Sequence, residues 1–134
     1  MDIKHAYPPN YEQIAKVFGK AAIRNAVFTY GQTIYTPKGL PIPGHLIHHE
    51  KVHMKQHAQT AGGPDFWWSR YLDDPEFRLS QEVEAYRAQY RYVLKNHGRE
   101  DRRQILSYIV RSLASPMYGN LVTKDLARKL ITED

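Results

Sequence analysis

Apolar positions recur at helical spacing along most of the chain and take on strand character only near its start. Ile14, Val17 and Phe18 fall on one side of a short predicted helix over residues 11–18, which Gly19 ends. Two β-branched and aromatic runs follow, residues 26–30 and 33–36, separated by Gly31-Gln32. That spacing predicts a hairpin with a tight turn in which Gly31 supplies the positive φ. Residues 38–44 contain Gly39, Pro41, Pro43 and Gly44 and read as a loop. A helix is predicted from His45 to about Gln59, where Thr60-Ala61-Gly62-Gly63-Pro64 breaks it. A short helix over 66–72 comes next. Asp74 then offers an N-cap, with Pro75 at the first helical position, for a long helix to about Asn96 with the stripe Leu79, Val83, Tyr86, Tyr90 and Val93 or Leu94. Ile105, Leu106, Ile109, Val110 and Leu113 stripe a further helix over about 99–114, Ser115-Pro116 ends it, and Thr123 caps a last one. The pattern predicts an α+β fold, a small antiparallel sheet in the N-terminal third followed by a helical majority.

Composition narrows this picture without redirecting it. A chain of 134 residues with 42% hydrophobic content suits one domain over residues 1–134, and no Ser-rich, Gln-rich or repetitive tract marks a linker. No apolar run approaches bilayer length, and residues 1–10 lack the basic, apolar, small-residue order of a signal peptide. The expectation is a soluble, cytoplasmic protein with no membrane partner. With 0 cysteines, any metal must be held by nitrogen and oxygen. The net charge of +5 raises nucleic acid as a partner. Its clusters argue against that, because Glu100 and Asp101 interrupt Arg99, Arg102 and Arg103, and Asp125 sits among Lys124, Arg128 and Lys129, as on ordinary solvated helix faces.

The chemistry of the chain concentrates in His49-Glu50-Lys51-Val52-His53. Residues four apart on a helix stand one above the other, so both imidazoles can face one metal ion with Glu50 beside them. Neutral imidazoles bind Zn²⁺ at about 2.0–2.1 Å, and three protein ligands leave one position open for a water whose pKa falls towards about 7. Glu50 can act as the base that takes the proton as water attacks a carbonyl, then hands it to the leaving amine. His45, His49, His53 and His57 form a ladder at steps of four, which a functionless polar stripe would also produce. Helical projection puts Leu46, His49, Glu50, His53 and His57 on one side and His48, Lys51, Lys55 and Gln59 on the other, so the motif faces inward. On the long helix, Glu82 lies one turn before Tyr86 at the border of the apolar stripe, whereas Glu84 falls nearly opposite with Ser80, Gln81, Ala88 and Arg91. Helix phase therefore selects Glu82 as the third ligand and leaves Glu84 on the surface.

With Glu82-Val83-Glu84-Ala85-Tyr86 following the motif after a Gly-Gly-Pro break, the chain resembles the gluzincin metallopeptidases. In these, H-E-x-x-H on one helix is completed by a glutamate on a later one. It looks most like their smallest members, the minigluzincins and the zincin-like proteins of phage and bacterial genomes, over residues 26 to 94. The resemblance implies zinc held by His49, His53 and Glu82, Glu50 as general base, and a peptide substrate paired to an edge strand at 32–36, with Thr33, Ile34 and Tyr35 as its contacts. Tyr86 stands where an aspartate would orient a histidine in some members, and it becomes a candidate for that supporting role.

Further candidates are weaker. His45 and His57 could extend the site, His57 as a residue supporting the ligands, since an inward histidine is more often hydrogen-bonded core. Tyr118, in the loop Ser115-Pro116-Met117-Tyr118-Gly119, could stabilise an oxyanion at the attacked carbonyl or simply pack. Phe66, Trp67 and Trp68 read as core plugs covering the motif helix. The function expected is that of a zinc-dependent metallopeptidase acting on peptide or protein. The alternative is a non-catalytic zincin-like or basic helical module that binds nucleic acid or a protein partner.

Overall fold

Asp2–Lys4 and Thr33–Tyr35 pair as parallel strands, a relationship that joins the start of the chain to the hairpin and decides which sheet edge stays free. The computed structural model describes residues 1–133. In chain order its elements are β1 (Asp2–Lys4), α1 (Tyr11–Phe18), β2 (Phe28–Tyr30), β3 (Thr33–Tyr35), α2 (Gly44–Gln59), α3 (Gly63–Asp73), α4 (Pro75–Asn96), α5 (Arg99–Leu113) and α6 (Lys124–Thr132). A single 3-10 turn, Pro116–Tyr118, joins the last two helices. The class is α+β. The sheet is mixed rather than antiparallel, in the order β1-β3-β2, with β2 antiparallel and β1 parallel to β3.

That order corrects the expected substrate edge. β3 lies in the centre with both edges hydrogen-bonded, so Thr33, Ile34 and Tyr35 have no free backbone to offer a peptide, and none of them lines the cleft at the motif. All three residues of β1 are exposed, and a strand with no buried side chain leaves no period-2 pattern to read. The outer strand on the other side is β2, and α3 covers part of it: Trp68 Nε1 donates to the Thr29 carbonyl at 3.0 Å, and the Tyr30 hydroxyl donates to Asp65.

The break after α2 also begins a helix. Gly62, with φ of 88°, is the left-handed residue immediately before α3, and Pro64 sits in its first turn. A Cβ at Gly62 would lie 2.1 Å from the Phe66 ring. Phe66 accordingly caps that corner at 66% exposure instead of plugging the core, while Trp67 and Trp68 are buried as expected.

Two apolar clusters result. Ile14, Ile23, Phe28, Trp67, Trp68 and Tyr71 join α1, the sheet and α3, whereas Tyr86, Ile109, Leu113, Tyr118 and Ile131 join the C-terminal helices. Arg78 bridges them. Its guanidinium donates to the carbonyls of Tyr71 at 2.7 Å, Leu72 at 2.9 Å and Met117 at 2.5 Å, tying the end of α3 to the 3-10 turn. Three donated hydrogen bonds and the Phe18 ring 4.8 Å from its charge offset the cost of burying this cation. Among the described residues, no helix is long and apolar enough to cross a membrane.

Candidate metal centre

Between the two apolar clusters, α2 packs against α4 along a polar seam. The inward face of α2 carries buried His49, Glu50, His53, Gln56 and His57, with His48, Lys51, Lys55 and Gln59 exposed on the other side. Helix α4 answers with buried Arg78, Glu82, Ala85 and Gln89, and leaves Glu84 exposed. Helix phase thus placed both faces as the sequence indicated.

His49 Nε2, His53 Nε2 and Glu82 Oε1 form a near-equilateral triangle with sides of 3.0, 3.1 and 3.2 Å. With Glu82 ionised, no proton assignment satisfies all three sides. One proton leaves a side with lone pair against lone pair; protons on both imidazoles set N–H against N–H at 3.2 Å. A cation beside the triangle satisfies all three donors together, and the face of a tetrahedron with bonds of about 2.0–2.1 Å has edges of about 3.3–3.4 Å. The donor set therefore fits a metal ion.

Supporting bonds orient the donors. Gln56 donates from Nε2 to the Gln81 carbonyl and to Glu84, both at 3.1 Å, which turns its Oε1 to His53 Nδ1 at 2.8 Å. Nδ1 then carries a proton, and in the neutral ring the Nε2 lone pair points to the triangle. The Tyr71 hydroxyl donates to Glu82 Oε2, so Oε1 is left for the histidines. Tyr86 stacks its ring edge-on against His49 at 4.5 Å. Glu50 stands beside the two histidines, their ligand atoms within 4.8 Å of one another, with Oε2 at 3.7 Å from His49 Nε2, while Thr29 Oγ1 donates to its Oε1 at 2.9 Å.

The charges respond to this packing. Burial works to lower the His53 pKa, but the adjacent Glu82 carboxylate outweighs it and raises the value to about 9. Burial would raise that of Glu82, and His53 and His49 instead hold it far below the usual carboxylate range. Burial, then the Glu82 charge, pushes the phenols of Tyr71 and Tyr118 well up, so both are hydrogen-bond donors at neutral pH.

A cleft of about 690 Å³ opens onto these groups. Residues 21–29 line it together with Tyr108, Arg111 and Ser112 of α5, and His49, Glu50, His53, Glu82 and Tyr118 all face it. The loop tyrosine singled out in the sequence is thus brought to the site. His57 is not hydrogen-bonded to His49 or His53, a correction to its expected supporting role. Its Nδ1 accepts the Gly31 backbone N–H at 3.0 Å, and its ring packs on Trp67 at 4.4 Å, so it fastens the hairpin turn to α2. His45 is taken up by Gln89 at 2.9 Å.

Gln56, Tyr71 and Thr29 were not found from the sequence. Gln56 had a signal, since it follows His53 by three on the inward face. Tyr71 shares the buried side of α3 with Trp67 and Trp68, and a buried phenol needs a partner. Thr29 had none. No protein-family model, curated protein or solved structure matches this chain, so the chemistry of the site carries its functional reading.

Proposed function

We propose that this protein is a zinc-dependent peptidase. The observation that supports it most is the convergence of His49, His53 and Glu82 at 3.0–3.2 Å in a substrate-sized cleft, with a fourth buried group, Glu50, beside them and outside the triangle. Nitrogen and oxygen donors of this kind suit Zn²⁺, which when bound supplies Lewis acidity, lowering the pKa of water and polarising a carbonyl.

Each remaining role falls to a residue of the chain. Glu50 accepts the proton of the attacking water and returns it to the departing amine. The Thr29 hydroxyl fixes Glu50 Oε1 and leaves Oε2 on the His49 side. Tyr118, kept protonated by burial and by Glu82, donates to the oxygen of the attacked carbonyl as negative charge develops there. Residues 21–29, which precede and include most of outer strand β2, form the wall along which an extended peptide runs, in place of β3.

The test is Glu50→Gln. The variant should keep one zinc per chain, measured by elemental analysis, and lose peptide cleavage by about 10²–10⁴-fold, the usual contribution of a general base. Full cleavage with zinc still bound would remove the peptidase reading.

A further inference from the structure

A second cavity, of about 260 Å³, adjoins the main cleft, and the two share Ala21, Ile23 and Arg24. Lys20, Arg24 and Lys38 line it together with Tyr7 and Tyr11, whose rings pack into one wall at 4.5 Å. None of the three cations has a carboxylate within 4.0 Å among the described residues. Arg111 adds a fourth exposed cation to the lining of the main cleft. The only acidic residues lining either cavity are Glu50 and Glu82, which the site itself uses.

We propose that this second cavity is a subsite for an acidic side chain, so that the substrates are polypeptides carrying Asp or Glu near the cleaved bond. The inference rests on the peptidase reading and specifies its substrate class. Three like charges around one small cavity repel each other, and a carboxylate entering it relieves that repulsion. Arg24 offers the planar fork that matches a carboxylate, and the two lysines add point charges.

Position favours a peptide over a nucleic acid. Three unpaired cations share one cavity of side-chain size that opens beside the cleft, whereas a phosphate backbone needs a track of them. At the start of α5, by contrast, the basic residues are interleaved with acids, and Arg103 pairs with Glu100 at 2.6 Å.

The zinc-loaded protein would be assayed on fluorogenic peptides that differ only in Glu, Gln or Lys at each position around the scissile bond. Wild type should prefer Glu over Gln at one position by roughly tenfold in kcat/KM, about 1.4 kcal/mol. Lys20→Glu/Lys38→Glu should invert that order towards Lys. Both positions are exposed, and circular dichroism would verify folding, with each single variant as a check. Equal kcat/KM for Glu and Gln at every position would overturn the subsite and leave the peptidase standing. Cleavage of no peptide at all by zinc-loaded protein would remove both. In the Glu50→Gln protein, a labelled acidic peptide should bind in a salt-sensitive manner. Its displacement by a single-stranded oligonucleotide that binds more tightly, with that binding lost in the double variant, would overturn the proposal in favour of nucleic acid.

Discussion

The hydroxyl of Tyr71 donates to Oε2 of Glu82, and this single bond from α3 settles which oxygen of the α4 carboxylate faces His49 and His53. Tyr71 is itself held in place from two sides, by stacking on Trp67 at 4.7 Å and by the bond from Arg78 to its carbonyl. The rotamer of a candidate metal ligand is therefore set from the N-terminal apolar cluster, although the ligand stands on a helix that packs into the other.

Tyr71→Phe should weaken zinc binding by about 10–100-fold, because Glu82 loses the partner that orients it. Competition against a chelator of known affinity measures this. Glu82→Ala should abolish stoichiometric binding, and Glu84→Ala should retain it. Equal retention in the two alanine variants would overturn the ligand assignment.

Zinc-free protein should be most stable near pH 6.5. The His53 pKa is raised from 6.5 to about 9, so its contribution is complete below about 6.5 and disappears as the pH rises to about 9. Burial holds His57 at about 3, so its contribution is complete above about 6.5 and fades as the pH falls towards 3. Melting temperatures should decline on both sides. A melting temperature of the zinc-free protein that keeps rising between pH 7 and 9 would contradict this arrangement.

The same proton predicts the pH dependence of metal binding. His53 is protonated at pH 7 in the zinc-free protein and must release that proton to a metal, so affinity should climb about tenfold per pH unit and level off near 9. Calorimetry in buffers of different ionisation enthalpy counts the protons released.

His57→Ala should cost about 2–4 kcal/mol of stability, through the cavity left on Trp67 and the unpaired Gly31 N–H, while zinc affinity holds. Chemical denaturation and metal titration on the same variant separate the two effects. Loss of zinc affinity with unaltered stability would give His57 a direct role at the site instead.

Tyr118→Phe should reduce kcat by about 10²–10³-fold with zinc content unchanged, the size of effect seen when one oxyanion donor is removed. Its ring is buried in the same apolar cluster as Tyr86, so stability should be measured beside the kinetics.

Much of the site was legible because helix geometry fixes direction within an element. The spacing of His49 and His53 puts both on one face, the apolar stripe gives the phase of Glu82, and the two assignments required no knowledge of how the helices meet. Capping signals were equally local, and Asp74 and Thr123 both accept backbone N–H bonds at the helix starts they mark. What lies between elements was not legible. The contacts of Thr29 with Glu50, Gln56 with Gln81 and Glu84, and Tyr71 with Glu82 span 11 to 28 residues, and no periodicity encodes them. β1 escaped notice because it buries nothing, yet by pairing with β3 it closed the β3 edge and left β1 and β2 as the outer strands. The sequence by itself determined which side chains point inward, since that follows from the dihedral repeat of each segment. Only the tertiary structure decided which of them meet, since that depends on how two apolar clusters bring α2, α3 and α4 together around a polar seam.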